Sequence, residues 1–184
     1  PMKSALITGG AGFIGSHLTD ELISHGYSVR ILDNLLPQVH RSAMTPPECL
    51  NPEAKFVYGD VRDAAVVNRS VDGIDAVFHL AASVGVGQSM YEVTHYTSDN
   101  SLGTAVLLES LIRHPVEKLI VASSMRIYGK ETYRTADGTF METANRSLGL
   151  LQAGIWDLPD GDGMPLDPRL LAFSCSRPDW QDAR

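Results

Sequence analysis

Three glycines with fixed spacing form the chemically most informative pattern in this sequence. Gly9, Gly12 and Gly15 follow directly after the apolar run at 5–8, and apolar residues at helical spacing follow them. In a turn from strand to helix, such glycines allow a sharp bend, close approach of backbone N–H groups to a pyrophosphate, and tight helix packing. The pattern therefore predicts a phosphate-binding loop, because its strand and helix context matches the glycine motif.

Asp33 stands at the end of the second predicted strand and is the acidic partner that such a loop requires. In dinucleotide sites a carboxylate about 20 residues further on accepts the adenosine ribose hydroxyls. Its charge would repel a 2′-phosphate, which favours NAD over NADP, although Arg30 and Arg41 lie near it in the sequence. A plain tight turn with a surface aspartate remains the alternative interpretation.

Alternating strands and helices must position these residues. Short apolar runs predict strands at 5–8, 29–32, 55–58, 76–80 and 119–122, while helical spacing predicts helices from Ile14 to Gly26 and over 89–113. This alternation predicts an α/β fold with a Rossmann-type, doubly wound parallel sheet of about five strands, covered by helices on both faces.

Composition limits the possible classes of partner. The chain has 184 residues, 15 Lys plus Arg against 22 Asp plus Glu, and a net charge of −7. This acidic balance argues against nucleic-acid binding, and no apolar run is long enough for a membrane span. Two cysteines suggest no disulfide framework and no metal site, and Asp160-Gly-Asp-Gly163 is interpreted as turns because Pro165 occupies the glycine position of a calcium loop. We expect a cytoplasmic protein.

Six stretches, in order, resemble the extended short-chain dehydrogenase/reductase family, specifically its NAD-dependent nucleotide-sugar epimerases and dehydratases. The stretches lie at 9–15, 33–34, 59–63, 79–82, 100–109 and 123–129. The resemblance covers residues 3–129 and implies the strand order 3-2-1-4-5, an NAD cofactor and a nucleotide-sugar substrate.

The resemblance also implies roles for individual residues. Ser124 matches the catalytic serine, which hydrogen-bonds the reacting sugar oxygen. Asp60 and Val61 match a pair at the adenine, and Asn100 matches a helix residue that supports the active-site loop. The complete implied NAD-binding set is Gly9, Gly12, Phe13, Ile14, Gly15, Asp33, Asn34, Asp60, Val61, Leu80, Ala81, Ala82, Asn100 and Ser123.

Three of the matched stretches also have plain structural interpretations. Asp60 would cap the helix that starts near Asp63, and Asn100 would be a solvated helix position. His79 is expected to be a buried, hydrogen-bonded strand residue rather than a catalytic group.

The chain departs from the family in lacking Tyr-x-x-x-Lys. None of the tyrosines is followed four positions later by a lysine. We expect an NAD-binding domain over 1–129 and a loop-rich insertion and tail over 130–184, without the last strands or the substrate domain. Residues 169–184 are alternatively a diverged catalytic segment, with Ala172 and Ser176 at the tyrosine and lysine positions.

Three hypotheses for function remain. The first is the cofactor-binding half of an NAD-dependent nucleotide-sugar epimerase or dehydratase. The second is a non-catalytic dinucleotide-binding module or remnant, and the third is an atypical NADP-linked reductase, which Asp33 disfavours. The helix at 89–113 is a candidate homodimer interface, and we expect Val106, Leu107 and Leu111 to lack part of their cover there.

Overall fold

The computed structural model describes residues 3–40 and 45–122, together with the short segments 132–134, 140–142, 148–154 and 167–168. The chain divides into two compact units, Pro1–Ala122 and Ser123–Arg184. Each unit is described by itself below.

A five-stranded parallel sheet forms the centre of the first unit. Its strand order is β3-β2-β1-β4-β5, so the predicted fold class and strand order are confirmed. The bounds are Ser4–Thr8 for β1, Ser28–Asp33 for β2, Lys55–Tyr58 for β3, Ala76–His79 for β4 and Lys118–Val121 for β5. In register, Thr8 is level with Leu32 on one side and His79 on the other, which brings the carboxyl ends of three strands to the same edge.

Helices connect these strands. They are α1 at Phe13–Ser24, α2 at Pro37–His40, α3 at Ala64–Val71, α4 at Val86–Ser89, α5 at Val93–Thr97 and α6 at Gly103–Arg113. A π-helical turn at Ser98–Leu102 joins α5 to α6. The long helix predicted over 89–113 therefore begins at Val93, because Glu92 has non-helical backbone angles of φ −104° and ψ 45°.

Apolar side chains cover both faces of the sheet. Leu6 and Ile7 point to opposite faces, as neighbouring strand residues must. One buried cluster contains Leu6, Leu32, Val67, Val71, Ile74, Val77 and Leu107, and the other contains Ile7, Val29, Ile31 and Leu50. The two clusters confirm a sheet that is packed from both sides.

The expectation that Val106, Leu107 and Leu111 lack part of their cover is wrong for Leu107, while Val106 and Leu111 are partly buried against the same cluster. Leu107 is only 1 % exposed, because α6 packs against α3 and places this side chain in the cluster with Val67 and Val71. The exposed apolar side chains of α6 are instead Leu108 and Ile112, and Ile112 is 80 % exposed. These two residues are one helical turn apart, so they form a stripe on the solvent side of α6.

Short antiparallel strands occur in the second unit. They are β6 at Thr132–Arg134, β7 at Phe140–Glu142 and β8 at Asp167–Pro168, in the order β7-β6-β8, and helix α7 spans Leu148–Gln152. The sequence patterns did not predict these strands, which are only two or three residues long. Within the described residues, no helix is long and apolar enough to cross a membrane.

Candidate functional site

The glycine loop lies between β1 and α1 at the carboxyl edge of the sheet. Gly9 has a φ of +70°, and its N–H donates to the Leu32 carbonyl at 2.8 Å. Gly12 is the N-cap of α1 and offers no side chain to the first helical turn. Because the first N–H groups of a helix have no partner within it, this turn presents donors and the positive end of the helix dipole. Both features suit a bound phosphate.

Close packing explains why two of these positions hold glycine. A Cβ atom on Gly9 would lie 2.7 Å from the Ala81 nitrogen, and one on Gly15 would lie 2.5 Å from the Gly10 Cα. Glycine at position 9 therefore lets the segment after β4 pass directly beneath the loop. Glycine at position 15 lets α1 pack against the loop backbone.

Phe13 and Ile14 expose large apolar side chains at the start of α1. Phe13 is 82 % exposed and Ile14 is 68 % exposed, beside the free N–H groups of the same turn. Exposed apolar side chains at a glycine-rich turn provide a surface that a ligand can cover.

Asp33 is buried and connects the glycine loop to the segment after β2. One carboxylate oxygen accepts the Ala11 N–H at 3.0 Å, and the other accepts the Leu35 N–H at 2.8 Å. The His40 Nε2 atom lies 3.9 Å from the carboxylate. Each carboxylate oxygen has a second lone pair, so Asp33 can also accept hydroxyl protons from a ligand. Sequence reasoning did not identify His40, which only the short helix α2 places here.

Arg30 points to the end of α3. Its Nη1 atom donates to the Ser70 carbonyl at 2.7 Å and to the Asp72 carbonyl at 2.9 Å. The Nη1 group of this guanidinium is thus engaged at the C-terminal end of α3. The other arginine considered in the sequence, Arg41, lies outside the described residues.

Asp60 lies after β3 and is held by Arg62. Arg62 Nε donates to Asp60 at 2.8 Å, the Arg62 N–H donates to the same oxygen at 2.9 Å, and Asn34 Nδ2 donates to the other oxygen at 3.3 Å. Hydrogen bonding by Arg62 lowers the pKa of Asp60 to about 2. The helix cap is Asp63, which accepts from the Ala65 and Val66 N–H groups, so the alternative interpretation of Asp60 as the cap is wrong.

Arg62 also extends from Asp60 to the π-helical turn. Its Nη1 atom lies 2.7 Å from an Asp99 carboxylate oxygen, and it donates to Ser98 Oγ at 3.2 Å. Val61, beside Arg62, packs against the start of α6, where a Cβ on Gly103 would lie 2.7 Å from a Val61 methyl group. The sequence motif contains Arg62, but only the structure identifies it as the bridge between two carboxylates.

The segment after β4 contains Leu80, Ala81 and Ala82 and runs beside Gly9. The Ala81 N–H donates to Thr8 Oγ1 at 3.3 Å. Asn100 holds the next residue with two bonds, accepting the Ser83 N–H at 2.8 Å and donating to the Ser83 carbonyl at 3.0 Å. Both ends of this segment are therefore fixed, one to β1 and the other to the π-helical turn.

His79 is a buried, hydrogen-bonded strand residue, as predicted. Its Nδ1 lies 2.7 Å from Thr8 Oγ1 and its Nε2 lies 3.0 Å from Thr104 Oγ1. Burial lowers the pKa of the imidazole, since removing it from water disfavours the charged form.

Two of the predicted site residues, Ser123 and Ser124, lie outside the described residues. The structure assembles the other predicted residues at the carboxyl ends of β1 to β4 and on the π-helical turn. In open parallel sheets this edge is where ligands bind, at the point where the strand order reverses.

Comparison with protein families gives the decisive match. The model of the NAD dependent epimerase/dehydratase family matches residues 5–147. The chain belongs to this family. The match includes every predicted site residue and confirms the resemblance read from the sequence motifs.

Individual family members resemble the chain over part of their length. The dTDP-L-rhamnose 4-epimerase of Burkholderia thailandensis is 35 % identical over 170 residues, which are 90 % of this chain and 46 % of that protein. The UDP-glucose 4-epimerase of Thermotoga maritima, solved with UDP-glucose, has a TM-score of 0.61 at 35 % identity, covering 76 % of this chain and 45 % of that one.

A third comparison is a structure solved with the cofactor. The UDP-glucose 4-epimerase of Brucella ovis in complex with NAD has a TM-score of 0.61 at 29 % identity, covering 77 % of this chain and 42 % of that one. The chain thus spans less than half the length of these family members.

Proposed function

We propose that this chain binds NAD as the cofactor-binding half of a nucleotide-sugar epimerase or dehydratase. The observation that carries the proposal is the glycine loop, in which Gly9 packs on Ala81 while Asp33 anchors the loop backbone from the other side. The Ala81 backbone can approach the loop this closely because position 9 has no Cβ. The N–H groups of Phe13 and Ile14, at the start of α1, have no partner within the helix. Membership in an NAD-dependent family supports the same conclusion.

The residues present fit an NAD molecule laid along the carboxyl edge of the sheet. The N–H groups at Phe13 and Ile14 would hold the pyrophosphate, as a helix N-terminus does, while the Gly12 N–H donates to the Gly9 carbonyl within the loop. The free lone pairs of Asp33 would accept the adenosine ribose hydroxyls.

The adenine and nicotinamide ends would lie on opposite sides of this loop. Asp60 and Val61 would border the adenine, with Asn34 beside them. Leu80 to Ala82 would pass under the nicotinamide-side phosphate, supported by Asn100, with Ser123 near the nicotinamide.

Asp33 favours NAD over NADP in this proposal. The Asp33 carboxylate is fixed in place by the two N–H bonds that it accepts, and its charge would repel the 2′-phosphate. Arg30, the described arginine nearest in sequence to this strand end, directs its Nη1 atom to carbonyls at the C-terminal end of α3.

The proposed substrate is a nucleotide sugar, by similarity to family members named for UDP-glucose and dTDP-L-rhamnose. When bound, NAD supplies a hydride acceptor and donor for one sugar carbon. Ser124 would hold the oxygen on that carbon with its hydroxyl group.

We also propose a cytoplasmic location and a homodimer formed through the helix at 93–113.

A non-catalytic dinucleotide-binding module is the second candidate. The observation that favours it is the absence of Tyr-x-x-x-Lys from the sequence, since a lysine one turn from a tyrosine is what lowers a phenol pKa enough to provide a base.

Product analysis separates the two candidates. The chain is incubated with NAD and either UDP-glucose or dTDP-L-rhamnose, and proton NMR follows the anomeric and C4 signals. A new epimer formed by this chain alone would overturn the binding-module candidate. Failure of a longer form of the chain to give any product would count against the epimerase hypothesis.

A further inference from the structure

We propose that His79 is a positioning residue of the dinucleotide site, held neutral with its proton on Nε2 so that it links the segment after β4 to β1 and to the π-helical turn. The proposal rests on the proposed function for its ligand, and on hydrogen bonds of the described residues for its geometry.

Thr104 determines the tautomer. Its hydroxyl donates to the Asn100 carbonyl at 2.6 Å, which uses its only proton. The contact of 3.0 Å between Thr104 Oγ1 and His79 Nε2 must therefore be a bond in which the imidazole donates. The neutral ring then carries its proton on Nε2, and Nδ1 is an acceptor.

Thr8 completes the same arrangement on the other side of the ring. Its hydroxyl donates to Nδ1 of His79 at 2.7 Å and accepts the Ala81 N–H at 3.3 Å. The hydrogen bonds therefore form one chain. The Ala81 N–H donates to Thr8, Thr8 donates to His79, His79 donates to Thr104, and Thr104 donates to the Asn100 carbonyl. We call these five residues the His79 relay.

The His79 relay fixes the part of the site that the glycine loop packs against. Ala81 is its first member and lies directly under Gly9. Asn100 is its last member and holds both backbone groups of Ser83. A change at the ring would therefore displace both ends of the segment after β4, on which the glycine loop packs.

Protonation of the ring would break the relay. An imidazolium donates from both nitrogens, so Thr8 Oγ1 would receive protons from His79 and Ala81, and its own proton would lose its acceptor. The surroundings oppose this charge, because burial lowers the pKa of His79 and its two ring contacts are with hydroxyl groups.

Within the described residues, no ion pair or hydrogen bond joins the His79 ring to a charged group. Strand β1 presents Thr8, α6 presents Thr104, and β5 is level with the ring at Val121. The π-helical turn carries Asp99, whose carboxylate pairs with Arg62 and accepts from Ser83.

The first test needs no dinucleotide. Nitrogen-15 NMR of the full chain reads the ring tautomer of His79 at pH 7, and hydrogen exchange reads the Ala81 and Ser83 amides. We expect the Nε2–H tautomer in the wild type. The Thr104→Val variant, which loses the acceptor, should exchange both amides about tenfold faster, while Thr104→Ser should match the wild type. An Nδ1–H tautomer or a charged ring at pH 7 would overturn the proposal.

The second test follows NAD affinity with pH. For His79→Asn, which cannot reach Thr104, we expect a dissociation constant about tenfold higher at pH 7. We expect the wild type to lose more affinity than His79→Asn as the pH falls below the ordinary imidazole range, because both proteins share His40 beside Asp33. His25→Asn changes an exposed histidine at the C-cap of α1 and is the matched control. Equal affinities and pH profiles for wild type and His79→Asn would overturn the proposal.

The two tests keep separate failures apart. A folded wild type with the expected tautomer and exchange, but with no NAD binding, would contradict the proposed function and leave the ring assignment standing. If His79→Asn does not fold, the NAD dissociation constants of Thr104→Val and Thr104→Ser are measured and compared instead.

Discussion

Gly9 shows at the scale of one residue how the site depends on the absence of a side chain. Its φ of +70° is a left-handed conformation, and its missing Cβ leaves room for the Ala81 backbone. Gly73 has nearly the same φ, +68°, but a Cβ there would meet nothing within 4 Å. Comparing Gly9 with Gly73 therefore separates the cost of a left-handed backbone from the cost of steric overlap with a neighbouring backbone.

We predict that Gly9→Ala destabilises the fold more than Gly73→Ala does. Both variants bear the left-handed penalty of about 1 kcal/mol, and only Gly9→Ala must also displace backbone, which adds roughly 1–3 kcal/mol. Urea unfolding followed by circular dichroism measures the difference. Equal losses in the two variants would show that the loop does not pack on Ala81 as described.

Asp60 gives a pH-dependent prediction at the same scale. Its folded pKa is about 2, against an ordinary value of 3.8, because Arg62 stabilises the carboxylate. A lowered pKa means that the folded state binds fewer protons than the unfolded state at acid pH. The stabilisation is therefore complete above about pH 4 and is lost as the pH falls towards 2.

We predict that Asp60→Asn loses up to about 2 kcal/mol of unfolding free energy at pH 7 and shows a flatter stability profile between pH 4 and 2. Urea unfolding at a series of pH values makes the measurement. Glu109→Gln, an exposed carboxylate on α6, is the control and should follow the wild type. An unchanged profile in Asp60→Asn would contradict the role assigned to Arg62.

At the scale of elements, the sequence predicted the strands more accurately than it predicted where the helices begin and end. All five predicted strands of the parallel sheet exist, because buried parallel strands are short, continuous apolar runs. The helix predicted over 89–113 was less exact. Contacts from Arg62 to Asp99 and from Asn100 to Ser83 accompany its π-helical turn, and helical periodicity carries no information about such long-range contacts.

The exposed face of α6 shows the same limit. Spacing alone identified an apolar stripe but selected Leu107, which the contact with α3 buries. Leu108 and Ile112 remain exposed, and an exposed apolar stripe on a helix is typical of an interface.

We predict that Ile112→Glu weakens self-association of the chain. A carboxylate in an apolar helix pair would lose its hydration without a partner. Sedimentation equilibrium of wild type and variant measures the monomer–dimer constant, with Glu109→Gln as the control on the same helix. A wild type that is monomeric at all concentrations would contradict the proposed homodimer.

At the scale of the whole molecule, the sequence predicted the family and the fold better than the internal bonding of the candidate site. Glycine spacing and Asp33 are local patterns, so both could be read directly. Arg62, His40 and the His79 relay are set by contacts between elements far apart in the chain, which a single sequence does not reveal.

The candidate site that the structure describes lies in the first unit. Ser123 and Ser124 lie outside the described residues, and the chain spans less than half the length of the family members compared above. The binding edge of the first unit is the part of the proposal that this chain can test by itself.

Calorimetric titration of the purified 184-residue chain with NAD, with NADP as the comparison, tests the central claim most directly. Circular dichroism of the same sample shows that it is folded. We predict micromolar binding of NAD and at least about tenfold weaker binding of NADP, because the Asp33 carboxylate repels the 2′-phosphate. Binding of neither dinucleotide by the folded chain, or equal affinity for both, would contradict the assignment of the glycine loop and Asp33 as an NAD site.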